Sequence, residues 1–361
     1  RSMEAAQTAP IPPQSALGLM SGTSLDGLDI ARSRFERTAA GRIRGELLNF
    51  ESVPFPDDLA ARLRALYSAD AREWAACAAD FTTWCAEAVL ATGFTADVIG
   101  FHGQTTFHEP ASGFTAQLAS GAHLHARTGI PVVCDFRSLD VALGGQGAPL
   151  VPVADALLYA EAEVAVNLGG IANLSERDRR RAWDIVPCNL LLNGLAGRLG
   201  EAFDRGGQRA ARGQRIPELA AALARIPYLE RPAPKSLGRE DVDAWWWPAI
   251  ERFAGHSVDD LLATVTADIA SHVRTAIGPR TALVTGGGAW NAELMARIGE
   301  EPGLRFLPAS REIVDGKEAH AFALLAWMRV HGLPNTWASV TGAERDSCGG
   351  CIYGDVGQLL A

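Results

Sequence analysis

The chain has 361 residues, 48% of them apolar and 21% charged, with a net charge of −9. That length suggests two or three domains, and that composition a water-soluble globular protein. The acidic balance argues against binding a nucleic-acid backbone, which needs a basic footprint, and no apolar run reaches the ~18 residues that span a bilayer.

Arg1 to Ser15 is polar and Pro-rich, without the apolar core of a signal peptide. Disorder is expected up to about Ser15, with Arg1-Ser2 ahead of Met3 read as a vector-derived scar. The next segment, Leu17-Gly-Leu-Met-Ser-Gly-Thr-Ser-Leu-Asp-Gly-Leu-Asp-Ile-Ala31, sets two apolar runs around a loop of glycines, hydroxyls and aspartate. It reads as strand, Gly loop, strand. Such a loop can wrap backbone N–H groups around a phosphate while its carboxylates face a magnesium ion. It has neither the Gly-Lys-Ser/Thr ending of a Walker loop nor G-x-G-x-x-G spacing. An ordinary Gly-containing hairpin is the alternative.

Leu59 to Thr92 is Ala-rich with apolar residues at helical spacing, and predicts a helix. Val98 to His102 predicts a strand ending in a polar turn, Gly103-Gln104-Thr105, and Ile130 to Asp135 a strand with Asp135 at its C-terminal end. Active-site residues in open α/β sheets gather at such ends. Gly144 to Pro149 reads as a crossing between domains. Val164 to Ser175 repeats the strand, Gly-Gly turn, strand pattern, which suggests a duplicated domain whose halves each open with a phosphate-facing hairpin.

Pro217 to Gly238 is Pro-punctuated and expected to be irregular. Trp245-Trp246-Trp247 suits a sugar-stacking platform or buried core. Core or an oligomer contact is favoured, because a consecutive triplet cannot put all its rings on one face. Val258 to Ile277 predicts a long helix. Thr281 to Met295 predicts a strand, a turn at Gly286-Gly287-Gly288 and a helix. Glycines there would let a ribose or base approach the backbone, and the helix N-terminus favours anionic groups. Ala319 to Val330 predicts a further helix, and the alternation of elements argues for α/β layering. The cysteines at 77, 85, 134, 188, 348 and 351 fit a reducing compartment. Cys348-Gly-Gly-Cys351 has no second pair and reads as two thiols on a Gly turn.

Taken in order, these pieces resemble the anhydro-N-acetylmuramic acid kinase family of the sugar kinase/Hsp70/actin superfamily. The resemblance runs from about Leu17 to the C-terminus. It rests on Gly18-Leu-Met-Ser-Gly-Thr-Ser-Leu-Asp-Gly-Leu-Asp29, His102-Gly-Gln-Thr105, Thr128-Gly-Ile-Pro-Val-Val133, Asp135-Phe-Arg137, Gly144-Gly-Gln-Gly-Ala-Pro-Leu-Val-Pro152, Asn167-Leu-Gly-Gly-Ile-Ala-Asn-Leu174, Pro232-Ala-Pro-Lys-Ser236 with Gly238-Arg-Glu240, Gly286-Gly-Gly-Ala289 with Asn291, and Glu318-Ala-His-Ala-Phe322.

The resemblance implies an α/β, two-domain actin-like (ribonuclease H-like, duplicated) ATPase fold with a central cleft. One domain is expected over residues 16–138 plus 342–361, the other over 139–341. It implies ATP-dependent conversion of 1,6-anhydro-N-acetylmuramic acid, with water, to N-acetylmuramic acid 6-phosphate and ADP in the bacterial cytoplasm, as part of peptidoglycan recycling. The partners implied are the amino sugar, ATP and Mg2+, with no nucleic acid or membrane and with a homodimer expected.

Carried onto matching positions, it makes Asp184 the catalytic base. Gly22, Thr23, Ser24, Leu25, Asp26, Gly27, Leu28 and Asp29 form the ATP loop, with Asp26 or Asp29 organising magnesium. Gly169 and Gly170 face phosphate from the other half, and Gly286, Gly287, Gly288 and Asn291 lie against the nucleoside. His102, Gln104, Thr105, Asp135, Arg137 and Glu318 are the expected sugar contacts, Arg137 suiting the lactyl carboxylate, with a hydrogen-bonded structural histidine as the alternative for His102. Taken without the resemblance, Asp184 after an apolar run and before Pro reads more readily as a turn residue than as a catalytic one.

The chain departs from the family pattern near this aspartate. Val186 and Cys188 flank Pro187 where glycines are usual, and Asn193 stands where an aspartate is usual. Asp135-Phe-Arg137-Ser-Leu-Asp140 lacks two of three usual consecutive arginines, and Gln117-Leu-Ala119 replaces Gln-Ile-Gly. A same-fold sugar kinase with a shifted substrate, or a non-catalytic nucleotide-binding scaffold, are the alternatives these changes leave open.

Overall fold

The computed structural model describes residues 9–22 and 25–361, and the main strands sort into two mixed sheets of like topology. Strands β1 (Ile11–Met20), β2 (Gly27–Arg37) and β3 (Ile43–Pro54) form an antiparallel meander. β4 (Val98–Phe101) runs parallel to β1, while β5 (Gln104–Glu109) and β6 (Phe114–Leu118) pair separately. β7 (Val132–Cys134) extends the first sheet beyond β4. In the second sheet β8 (Val164–Leu168), β9 (Ile171–Glu176) and β10 (Arg181–Pro187) form the meander. β11 (Thr281–Thr285) and β12 (Arg305–Phe306) continue parallel to β8. β13 (Cys351–Tyr353) closes the first sheet antiparallel to β7. Both sheets therefore share the order third, second, first, fourth, fifth, so the chain has the duplication that the repeated hairpins predict and the two-domain actin-like α/β fold that the resemblance implies.

Packing divides the chain into one unit of the described residues up to Leu158 with Gly316–Ala361, and a second of Tyr159–Asp315. The expected divisions at 138/139 and 341/342 differ from these, because the helices on either side stay with the first sheet. Leu150, Val153 and Ala154, together with Phe322 to Met328, share one core cluster with Ala16, Phe35 and Val133.

The first sheet is covered on both faces, as the alternation along its strands requires. Leu17, Leu19, Leu28 and Ile30 point toward Phe81, Cys85 and Val89 of the helix Ala71–Thr92, while Ala16, Ala31 and Phe35 point toward the helix Arg311–Val330. That second helix lies almost on the sheet backbone. Gly18 and Gly100 are register partners, and a methyl on either would overlap the Ala319 or the Phe322 carbonyl. In the other unit the helix Val258–Ile277, capped by Ser257 on the Asp260 N–H at 3.1 Å, packs Leu262, Val265, Ile269 and Val273 into one core with β8 to β11.

Several expectations need correction. Ile11 to Ser15 is strand, not disordered: Gln14 Oε1 accepts from Trp327 Nε1 at 2.9 Å, and the register shift at Ile11/Gln14 accommodates Pro12 and Pro13. Residues 1–8 lie outside the described residues. The single helix expected over 59–92 is two, Asp57–Ala65 and Ala71–Thr92, because Asp70 caps the second through the Glu73 N–H. Gln104-Thr105 opens β5 rather than a turn. Gly144 to Pro149 is no crossing: it is tied inside the first unit by Gly147 N–H to Asp140 Oδ2 (2.7 Å) and Gln146 N–H to the Thr341 carbonyl (2.8 Å). Pro217 to Gly238 contains a helix, Pro217–Leu223, whose Leu219 and Leu223 are buried. Trp246 is fully buried, in line with the core reading of the Trp triplet.

Candidate active site

In the first unit the expected site residues collect at the C-terminal ends of the parallel strands β1, β4 and β7. Beyond β1, Ser21 is buried and its hydroxyl donates to Gln104 Oε1, tying the start of the first Gly loop to β5. Thr23 and Ser24 lie outside the described residues. Leu25 adopts φ 57°, a left-handed conformation uncommon for a branched side chain, and its N–H donates to the Gly22 carbonyl at 3.2 Å. Gly27 lies so close to β3 that a methyl would overlap the Val53 carbonyl. Leu28 is core, so only its backbone can face a ligand. Asp26 is exposed at the loop, and Asp29 accepts from Ser52 Oγ at 2.6 Å.

Past β4, His102 is buried between Arg137 and the Phe322 ring. Its Nε2 accepts from Arg137 Nη2 (2.9 Å) and Nε (3.2 Å), so the proton sits on Nδ1, which donates to the Gly103 carbonyl at 2.7 Å. Burial, reinforced by the Arg137 charge, pulls the imidazole down to about 3 and keeps it neutral. Its role here is to fix the guanidinium, which is anchored on its other side by Nη1 donating to the Gly147 carbonyl at 2.8 Å. Burial lowers Arg137 to about 10, against the pull of Glu318, so it remains a cation near neutrality.

Glu318 keeps solvent contact, yet the surrounding protein desolvates its carboxyl and pushes it up. Lys317 and Arg137 oppose that shift, whereas Asp29 and Asp155 add to it. Asp135 holds φ 56° and accepts from the Ser138 N–H (3.3 Å) and Oγ (2.5 Å), placing a strained residue at the end of β7. Thr105 accepts from Gln117 Nε2 at 3.3 Å.

The second unit builds its site from backbone. Cys188 N–H and Leu190 N–H both donate to the Gly170 carbonyl (2.8 and 3.1 Å), and Asn189 N–H to the Gly169 carbonyl (3.1 Å). The turn after β8 is thereby fastened to the start of the helix Asn189–Gly197. Gly286, at φ 85°, sits against Asn167 and Leu168, and Gly288 against Leu168, so the second and third Gly loops are neighbours. Asn291 caps the helix Ala292–Ile298 through the Leu294 N–H at 3.0 Å.

Asp184 lies within β10, beside a register shift against β9. Its Oδ2 accepts from the Leu237 N–H at 2.8 Å. Burial raises the carboxyl, and the Leu237 bond moderates that rise. The departures next to it are fully packed: Val186 and Cys188 are buried, and burial pushes the Cys188 thiol up to about 12.

Sequence reasoning missed the groups that hold these residues: Ser21 on Gln104, Gly147 on Arg137, and Tyr228, Lys235 and Leu237 around Asp184. Of these, the Pro232 to Ser236 motif signalled only Lys235, without suggesting a role. A surface groove of about 540 Å³ lined by Trp245, Phe253, Arg225 and Arg252 includes none of the expected site residues. Among the described residues no cluster of three or more His, Cys, Asp or Glu side chains is arranged for a metal, and no helix is long and apolar enough to cross a membrane.

A family model for anhydro-N-acetylmuramic acid kinase matches residues 14–355. The chain is 38% identical to the anhydro-N-acetylmuramic acid kinase of Burkholderia thailandensis, covering 93% of this chain and 97% of that protein. It is 38% identical to the one from Gloeobacter violaceus (92% and 97% covered) and 37% to the one from Pseudomonas fluorescens (93% and 98%). Among solved structures, an activator of 2-hydroxyisocaproyl-CoA dehydratase from Clostridium difficile with bound ADPNP aligns at a TM-score of 0.41 and 12% identity, over 86% of this chain and 94% of that one.

Proposed function

The chain belongs to the anhydro-N-acetylmuramic acid kinase family, and on that premise we propose that it opens 1,6-anhydro-N-acetylmuramic acid with water and phosphorylates O6 from ATP. The products are N-acetylmuramic acid 6-phosphate and ADP. The anhydro bridge joins C1 to O6, so water must reach C1 from the face opposite the departing O6. Asp184 takes one proton from that water as its oxygen bonds to C1, which passes through an oxocarbenium-like state. The C1–O6 electron pair goes to O6, which captures the γ-phosphoryl group as its bond to ADP breaks. An inverting glycosidase needs an acid for its leaving oxygen. Here the phosphoryl group takes that part.

The observation that carries this reading is the state of Asp184. One carboxylate oxygen is held by the Leu237 N–H, and burial raises its proton affinity toward that of a working base. The Gly22–Asp29 loop and Gly169-Gly170 hold phosphate, and Gly286-Gly287-Gly288 admits the nucleoside. Arg137, fixed by His102 and Gly147, binds the lactyl carboxylate, with Gln104, Thr105, Asp135 and Glu318 on the sugar.

Magnesium typically keeps several waters and binds one or two carboxylates plus phosphate oxygens, a donor set that Asp26 and Asp29 fit. They would hold it, and it would neutralise phosphate charge. The protein is proposed to act in the bacterial cytoplasm, in peptidoglycan recycling, as a homodimer. The test is ADP release with purified protein: it should require the anhydro sugar. ATP turnover indifferent to any amino sugar would overturn the proposal.

A further inference from the structure

We propose that Tyr228 is a positioning residue for Asp184, acting through the main chain of β10 to aim the carboxylate. This rests on the reading of Asp184 as the base. β10 is the edge strand of its sheet, and Asp184 sits where its register with β9 shifts. An edge strand at a bulge is the part of a sheet whose ladder constrains a side chain least. Here the free edge is gripped from outside the sheet. The Asp184 N–H donates to the Lys235 carbonyl at 2.9 Å, the Asp184 carbonyl accepts from Tyr228 Oη at 2.5 Å, and the carboxylate accepts from the Leu237 N–H at 2.8 Å.

Tyr228 can serve because it is itself immobilised. It is fully buried, with the Trp246 ring centroid 6.0 Å away and the Arg231 guanidinium 5.7 Å from its own ring centroid. Lys235 Nζ lies 4.5 Å from that centroid and donates to the carbonyls of Tyr228 (3.2 Å) and Leu229 (3.3 Å). Lys235 thus closes a circuit: its carbonyl holds Asp184, and its ammonium holds the tyrosine that holds Asp184. Burial raises the phenol, so the hydroxyl stays a donor at neutral pH. The arrangement supplies two main-chain fixings and one side-chain fixing on Asp184.

Tyr228→Phe removes the hydroxyl and keeps the ring. With a misplacement near 1 Å able to cost ~100-fold in rate, kcat should fall by roughly 10- to 100-fold while KM for ATP and for the sugar stays within about twofold. The deciding measurement is a double-mutant cycle on single-turnover rates. In an Asp184→Asn background, Tyr228→Phe should cost less than about twofold, because the group it aims is gone. A loss that recurs in full in that background, a KM effect with kcat intact, or an unchanged kcat would each overturn the proposal. Should Tyr228→Phe fail to fold, Lys235→Met keeps the backbone grip while releasing the ring, and the same non-additivity is expected of it. Full activity of Asp184→Asn would remove the base and Tyr228's role together. An inactive Asp184→Asn beside a fully active Tyr228→Phe would remove Tyr228's role alone.

Discussion

The two units share a sheet topology but hold their polar groups by different means. In the first, side chains hold side chains: Ser21 on Gln104, His102 on Arg137, Ser138 on Asp135. In the second, backbone does most of the holding, at Gly169, Gly170 and Gly286 and around Asp184. Apart from the Gly22–Asp29 phosphate loop of the first unit, the difference fits the chemistry proposed for each. Recognising a sugar carboxylate needs specific donors, whereas cradling phosphates and steadying a base need backbone dipoles that cannot rotate away.

Substitutions can break that comparison at different depths. The largest effect is expected at Asp184, where Asp184→Asn should lower kcat by ~10³-fold or more with KM for ATP little changed. Steady-state kinetics in both substrates would check it. Next is Gly18→Ala, which places a methyl into the Ala319 carbonyl and should destabilise the first unit by about 2–3 kcal/mol in urea unfolding.

Arg137→Lys retains charge but loses the planar fork set by His102 and Gly147. KM for the sugar should rise by roughly 10-fold with KM for ATP unchanged, which separates the side-chain site from the backbone site. Gly287→Ala meets only Asn189 Nδ2 at 3.7 Å, so stability should hold. KM for ATP should rise by a few-fold if this turn lies against the nucleoside.

The last effect is a pH dependence of stability. Burial depresses His102 to about 3 and His320 to about 4 from the ordinary 6.5. Between these limits the unfolded chain binds protons that the folded one does not. The stability they contribute is complete above pH 6.5 and is lost as pH falls toward 4. Urea midpoints at pH 7.5, 6 and 5 should decline in that order, and a flat series would contradict the assignment.

What the sequence revealed follows the same division. The hairpins at Gly22 and Gly169 and the helix Val258–Ile277 were legible because apolar periodicity and glycine punctuation are local signals. The break at Asp70 was not, since one capping aspartate interrupts an Ala-rich stretch whose periodicity continues on both sides. Gly144 to Pro149 looked like a linker by composition, but Asp140 holds Gly147, and Thr341 holds Asp140 in turn across 201 residues. The candidate site residues His102, Arg137 and Asp184 were legible from the resemblance rather than from any local pattern. The partners were not, because the Tyr228 hydroxyl reaches Asp184 across 44 residues and no local pattern encodes that contact.

The central claim is that water enters at C1 while O6 receives the phosphoryl group, with Asp184 as base. Turnover of 1,6-anhydro-N-acetylmuramic acid and ATP in 18O-labelled water, read by mass spectrometry and phosphorus NMR, tests it most directly. The account predicts one 18O at C1, unlabelled phosphate on O6, and loss of the reaction in Asp184→Asn. Label in the phosphate with the anhydro ring intact, or undiminished turnover by Asp184→Asn, would contradict it.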